Sequence, residues 1–390
     1  MKVTNEAAQL AHEQRFGQRG RLFRAPARVN LIGEHTDYTG GLVMPMAIDF
    51  HTVAVISPRG DERLMFYSEN YEQETFIEIP DLEGGRRGHW SDYPAGIAWS
   101  LRKEGVEFGG FNMTLAGDVP LGAGLSSSAS IEVAVAMAIQ AMADEHLPLE
   151  RLATLCRRAE NEYVGAKSGI MDQFVVAGAI AHRAMMLDTR SLKFDLLPLP
   201  GDVRVVIANS MVKHAVATGE YGNRRDEVEA GQAVLQRERG IALLRDATLA
   251  DLEACREKMT TDSFARCRHI ITENARVLQA REALLADDMN RFGELMVEAH
   301  KSFRDDFAAS CEEVDTLVEI ALRQPGCVGA RITGGGFGGC TVNVVNVSSA
   351  EQFVSAVRRE YAQATGIEAD CFVCEPADGA LALAEKGGAA

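Results

Sequence analysis

The chain has 390 residues, 46% hydrophobic and 25% charged, the balance of a soluble globular protein and not of a disordered or collagen-like one. That length accommodates two or three domains at roughly 150 residues each, with enough core to need no metal or disulfide staple. Lys and Arg number 40 against 56 Asp and Glu, a net charge of −16; this argues against nucleic acid or an anionic membrane as partner, so an anionic ligand needs a local site.

Residues 1–20 read as a polar helix or a loose arm without the apolar core of a signal peptide. Residues 21–60 read as strands broken by Pro26, Pro45 and Pro58, with Gly33, Gly40 and Gly41 at turns. Residues 111–119 alternate as a strand. Residues 130–143 are almost wholly apolar apart from Glu132 and Gln140, the composition of a buried helix. Leu152, Leu155, Cys156, Ala159 and Tyr163 keep helical spacing, which predicts an amphipathic helix over 149–164. Strands are expected at 184–187 and 203–208. Residues 219–323 are rich in Glu, Arg, Ala and Leu and read as helices, the last stopped by Pro325-Gly326. Strands at 327–333 and 340–347, a helix at 350–364 and a strand near 369–374 follow, before a frayed tail. The fold class is therefore α+β, with a boundary near 190–215.

Of the eight cysteines, only Cys371 and Cys374 form a C-x-x-C. A structural zinc site needs four ligands, and no second pair is present. The two read as small core residues at a strand end, in a reducing compartment. No stretch approaches the roughly 18 uncharged apolar residues of a membrane span, so a cytoplasmic protein is expected.

Three polar or Gly-rich clusters stand out. In the first, 28–38, Val29 and Leu31 can face a core, which puts Arg28 and Asn30 on the other strand face. Glu34, His35, Thr36, Asp37 and Tyr38 then follow Gly33. Such a loop can bind a polyol by directed hydrogen bonds; a polar surface turn, or a metal held by His35 and Asp37, are the other readings. The second, 119–130, joins a strand to the buried helix. Gly122, Ala123, Gly124 and Leu125 lead into Ser126, Ser127 and Ser128. Glycines let backbone N–H groups approach an anion, a helix N-terminus adds its dipole, and the hydroxyls add donors and a Mg²⁺ ligand. An ordinary Ser-rich helix cap is the plainer alternative. The third, 334–339, formally matches G-x-G-x-x-G. Strand-like residues follow where the dinucleotide fingerprint requires a helix. The dehydrogenase reading therefore fails, and the glycines join two strands, as a hairpin loop or as a loop that approaches another loop or a nucleotide at backbone distance.

Together the motifs RVNLIGEHTDY (28–38), PLGAGLSSSAS (120–130), SGIMDQF (168–174), GEYGNRRDE (219–227) and RITGGGFGGC (331–340) closely resemble the galactokinase family of the GHMP kinase superfamily. The first is particular to galactokinases and close relatives; the second and last are shared across the superfamily. The resemblance implies a two-domain GHMP kinase fold, about 1–200 and 201–390, with the active site between the domains. It implies ATP- and Mg²⁺-dependent phosphorylation of galactose at its anomeric hydroxyl, by a monomer. Carried over by motif, Asp172 is the catalytic carboxylate with Arg28 beside it. Glu34, His35, Thr36, Asp37, Gly169 and Tyr221 bind the sugar. Gly122 to Ser128 cradle the ATP phosphates, Ser128 and Glu160 hold Mg²⁺, and Ser68 and Trp90 contact the nucleoside. An N-acetylgalactosamine kinase and a non-catalytic galactokinase-like sensor are the alternatives, although sensors typically carry a damaged Ser-rich loop. Ala27 and Ser168 stand where the family usually has Gly and Cys; neither removes a reacting group.

Overall fold

The computed structural model of the chain describes residues 3–120, 123–213 and 217–381. Most of the expected frayed tail, 382–390, lies outside them. Helix α1 (Asn5–Phe16), capped by Thr4, precedes β1 (Arg21–Asn30), β2 (Leu42–Val43), β3 (Pro45–Pro58), β4 (Arg63–Ser68), β5 (Gln73–Glu78), α2 (Asp92–Lys103) and β6 (Phe111–Gly117). Then come α3 (Ser127–Met142), α4 (Leu149–Arg158), α5 (Met171–Gly178), β7 (Arg183–Asp188) and β8 (Phe194–Pro198). Five strands form one sheet in the order β1-β3-β6-β4-β5, with β4 and β6 its parallel pair, and β2-β7-β8 form a small second sheet.

The second half opens with β9 (Val203–Lys213). Helices α6 (Ala217–Arg239), α7 (Leu249–Ala254), α8 (Thr261–Leu285), α9 (Met289–Asp305) and α10 (Glu312–Arg323) follow. The chain then forms β10 (Cys327–Thr333), β11 (Gly338–Asn346), α11 (Ala350–Thr365) and β12 (Asp370–Cys374). Every neighbouring pair in the sheet β10-β11-β9-β12 is antiparallel.

Two expectations about local structure change. Pro26 does not break its strand. β1 is a sheet edge, where a missing N–H is tolerated, and the register shifts between Pro26 and Ala27. This bulge sits two residues before Arg28, and bulges re-aim the side chains that follow. The helix expected over 149–164 stays α-helical only to Arg158; Ala159–Val164 is a π-helical turn, a local widening common at functional sites.

Packing explains where a cleft can form. One core lies between the five-stranded sheet and α2 to α5, where the Ala-rich face of α3 lets that helix lie close on β1 and β3. A second core is shared by the two halves: Ala27 and Val29 of β1 and Leu31 just after it pack with Ile207, Val342 and Phe292. Alternation along β1 therefore sends Arg28 away from the shared core, as its spacing predicts. Cys371 and Cys374 are buried in different cores on the two faces of β12, and all eight cysteines are free thiols.

Candidate active site

Arg28 and Asp172 meet as a two-pronged pair. Nε donates to Oδ1 at 2.8 Å and Nη2 to Oδ2 at 2.7 Å, while Nη1 donates to the Gly124 carbonyl at 2.6 Å. The guanidinium is buried and the carboxylate is a quarter exposed. The planar fork thus fixes both oxygens of this partly exposed carboxylate. Asp172 stands in the first turn of α5, and Ser126 donates its hydroxyl to Asp172 Oδ2.

The loop after β1 brings further carboxylates to this point. Asp37 packs on the 169–171 backbone: a Cβ on Gly169 would lie 1.7 Å from Asp37 Oδ2, so only glycine fits. Burial, reinforced by the Asp172 and Glu34 carboxylates, raises the Asp37 carboxyl to about 7. Glu34 is buried, and its Oε1 accepts from Arg331 Nη1 at 3.3 Å, Thr333 Oγ1 at 3.2 Å and Gly334 N at 3.0 Å. His35, at φ 62°, stacks on Phe307 with ring centroids 4.2 Å apart, and burial holds its imidazole down at about 3, hence neutral. Tyr38 Oη lies 3.3 Å from His35 Nδ1.

Thr36 spends its hydroxyl on the loop itself. Its side chain is wholly buried, and its hydroxyl faces the Gly33 carbonyl at 2.9 Å and the Leu42 carbonyl at 2.6 Å. The hydroxyl thus closes the loop from inside. The side chain of Tyr221, on α6, lies outside the described residues, as does Gly122.

The serine loop divides by role. Ala123 and Leu125 are buried in the shared core, so they can offer a ligand backbone only. Ser126 is the N-cap of α3 in the left-handed conformation, and its side chain makes no cap hydrogen bond. Its hydroxyl goes to Asp172, so any part it takes in a phosphate cradle would be through its backbone. The first-turn N–H groups of α3 are therefore uncapped by it, the arrangement that favours an anion. Gly124 (φ +74°) faces the third Gly-rich loop directly: a Cβ on Gly334 would meet the Gly124 carbonyl at 3.3 Å. That third loop does join two strands, β10 and β11.

Ser127 and Ser128 line one end of a cavity of about 310 Å³. Ser68 and Trp90 line the same cavity, with Asn70, Tyr71, Tyr93 and Ile131. Trp90 is stacked with Tyr71, centroids 6.1 Å apart. Four residues singled out from sequence thus share one space; Tyr71 and Ile131 carried no signal, since an aromatic or a branched side chain is ordinary core material.

Glu160 sits in the π-helical turn. Its Oε2 accepts from the Ser168 hydroxyl and from Gln173 Nε2 at 2.8 Å, and Ser128 also bonds its carboxylate. Burial raises the Glu160 carboxyl, and burial with Glu160 nearby raises Glu132 well above its usual range. Gln173 Nε2 also reaches Glu132 Oε2 at 3.0 Å, bridging two buried carboxylates. Glu132 is the one charged residue in the apolar stretch 130–143, which was its signal in the sequence. A hydroxyl and a carboxylate make an all-oxygen donor set suited to a hard cation. Mg²⁺ characteristically takes one or two carboxylates and completes its shell from phosphates and water. Among the described residues no group of three or more His, Cys, Asp or Glu could hold a metal by itself.

Comparison with known proteins gives a consistent picture. A galactokinase galactose-binding signature matches residues 10–58, the N-terminal domain of GHMP kinases matches 92–179 and their C-terminal domain 280–363. The galactokinase of Chloroflexus aurantiacus is 41% identical over 366 residues, covering 93% of this chain and 94% of that protein. The galactokinase of Roseiflexus sp. is 42% identical over 359 residues, 92% of each. The structure of Lactococcus lactis galactokinase complexed with galactose superposes with a TM-score of 0.93 at 32% identity, covering 96% of this chain and 98% of that one. Methanococcus jannaschii mevalonate kinase shares the fold, with a TM-score of 0.65 at 18% identity over 92% of this chain and 99% of its own.

Proposed function

The chain belongs to the galactokinase family of the GHMP kinases, and from that premise we infer the chemistry of its cleft. It is a sugar kinase that phosphorylates galactose, at the anomeric hydroxyl, using ATP. The observation that carries the reading is the Asp172 carboxylate. The Arg28 fork grips it where the sugar loop, the serine loop and the 168–174 segment converge.

Phosphoryl transfer asks little covalent chemistry of a protein; positioning and charge stabilisation dominate. Asp172 receives the proton of the anomeric hydroxyl as the oxygen attacks the γ-phosphorus in line. Arg28 holds the carboxylate in orientation and puts positive charge beside the phosphoryl group. Asp37 accepts from sugar hydroxyls, helped by Glu34 and His35, with the Gly169 backbone as the floor. Tyr221 joins them on its motif alone. Ser127, Ser128 and the first-turn N–H groups of α3 meet the phosphates, and Trp90 and Ser68 flank the nucleoside. Ser128 and Glu160 would hold Mg²⁺, and the ion would neutralise phosphate charge that a chain of net charge −16 otherwise repels. We place the domain boundary near residue 200, where the strands of the second half begin to form their own sheet. A cytoplasmic monomer that binds neither nucleic acid nor membrane completes the reading; eight free thiols and the acidic charge support it.

An ADP-release assay across galactose, galactosamine, N-acetylgalactosamine, glucose and mevalonate tests this, with the product bond located by phosphorus NMR. Turnover with galactose and an anomeric phosphate are expected. No turnover with galactose, or better turnover with N-acetylgalactosamine, overturns the substrate assignment.

A further inference from the structure

The sugar loop is held by its backbone, and the residues that hold it come from a helix more than 230 positions away in sequence. Glu273 on α8 is fully buried, and its Oε1 accepts from Gly33 N at 2.8 Å and Glu34 N at 3.4 Å. Its Oε2 accepts from Arg276 Nε at 2.7 Å. The next residue, Asn274, takes the far end of the loop: its Oδ1 accepts from Leu42 N at 2.8 Å, while its Nδ2 donates to Ile270 O one turn back. One turn before Glu273, His269 Nε2 lies 3.3 Å from the Glu34 carbonyl, and its other nitrogen meets Ser302 Oγ at 2.9 Å.

We propose that Glu273 is a positioning residue for galactose, with Asn274 as its helper: α8 fixes the backbone at both ends of the 33–42 loop and thereby aims Glu34, His35 and Asp37. The proposal deepens the galactokinase reading and rests on it. Four observations support a role beyond general packing. The bonds go to main-chain groups of the loop and leave its sugar-facing side chains free to act. An isolated buried carboxylate is costly, so a paired one spent on two loop amides is a specific arrangement. Arg276 compensates it directly; against the opposing effect of burial, the cations and His269 hold Glu273 down at about 2. The contacts also bracket the loop, at 33–34 and at 42, which two unrelated packing contacts would not do.

Side chains that hold a substrate must stay within about half an ångström of their productive positions, and an ångström of misplacement can cost roughly 10²-fold. In the full-length chain, Glu273→Gln keeps the size and one acceptor but loses the charge facing Arg276. It is expected to raise the galactose KM by about tenfold, within that limit, while the ATP KM and melting temperature stay near the parent's. Hydrogen exchange of the Gly33 and Glu34 amides should quicken without any sugar present. Asn274→Ala should give the same pattern, weaker, through Leu42, and serves if Glu273→Gln folds poorly. Equal rises in both KM values, or unaltered exchange at 33–34, overturn the proposal. Galactose saturation of the parent chain, read in the same titration, tests the underlying reading separately.

Discussion

On the acceptor side of the cleft, Glu34, Asp37 and Asp172 crowd around Arg28, each within electrostatic reach of the others. On the proposed nucleotide side, the described residues lining the cavity of Trp90, Tyr71 and Ser128 include no charged one. On the proposed assignment the charges are the inverse of the ligands': the neutral sugar would meet ionisable groups, and the nucleoside bearing a triphosphate would meet rings and hydroxyls. The difference follows from what each ligand needs. A polyol is distinguished by the direction of its hydroxyls, which fixed carboxylate acceptors read well. A base is held by its flat face, which aromatic side chains provide without exact direction. A framework of mutually balanced charges tolerates little change; a wall of shape tolerates more.

The largest effect is expected where the two sides meet. Asp172→Asn keeps the shape and one acceptor for Arg28 but cannot take a proton. The kcat should fall by roughly 10²–10⁴-fold with the galactose KM near that of the parent. A folded variant within a few-fold of the parent rate would leave Arg28 and positioning as the whole mechanism. Arg28→Lys should lose rate too, less severely, since it keeps charge but not the fork. The double variant should lose less than the product of the two single losses, because the groups act on one proton.

Next comes the acceptor side alone. Gly169→Ala drives a methyl into Asp37, and kcat/KM for galactose should drop by about 10²-fold with the ATP KM unmoved. If both substrates suffer alike, the two sides are not separable. Trp90→Ala is the mirror experiment. Loss of one stacking face should raise the ATP KM by roughly tenfold and leave galactose saturation as it was; a galactose effect would erase the contrast.

The smallest effect is a pH dependence confined to the charged side. The folded chain holds the Asp37 proton up to about 7, against 3.8 for the unfolded side chain. The folded state therefore binds that proton more tightly than the unfolded one. Its stabilising contribution is present below about pH 4, declines as pH rises to about 7 and is flat above. Asp37→Asn carries no such proton. Its melting temperature relative to the parent should rise between pH 5 and pH 8, by a few degrees, given about 2–8 °C per kcal/mol. A constant difference across that range would show that Asp37 is not held protonated.

Much of this was legible in the sequence where local rules suffice. Alternation along 28–31 placed Arg28 opposite the shared core, and the strand after the third glycine cluster ruled out a dinucleotide fold. The SGIMDQF motif marked Asp172, and Glu132 stood out as the one charge in an apolar stretch without its bridge to Gln173 being legible. That the Thr36 hydroxyl bonds the loop's own carbonyls was not legible, because a hydroxyl in a polar loop looks the same in either role; only the three-dimensional closure of 33–42 shows the partner. Ser126 was grouped with its neighbours because sequence adjacency does not reveal that a left-handed backbone turns one serine toward Asp172 and the next two toward the cavity. Pro45 and Pro58 do stand at the ends of β3, but Pro26 lies within β1, because an edge strand, where a missing N–H costs nothing, is a property of the sheet and not of the local sequence. The support from α8 lay beyond any local pattern, since Glu273 sits on an apparently ordinary helix far along the chain.

Glu34 carries a consequence for anyone redesigning sugar preference. Three donors from β10 and the glycine after it converge on one of its oxygens, so the residue is a rivet between the two halves of the molecule as well as a member of the sugar pocket proposed above. In a saturation library over the loop, variants at 34 would be lost to misfolding before their selectivity could be scored, and the survivors would understate its share in recognition. Diversity is better spent at 37 and around the 169–171 backbone, with 34 left as the fixed point against which new pockets are measured.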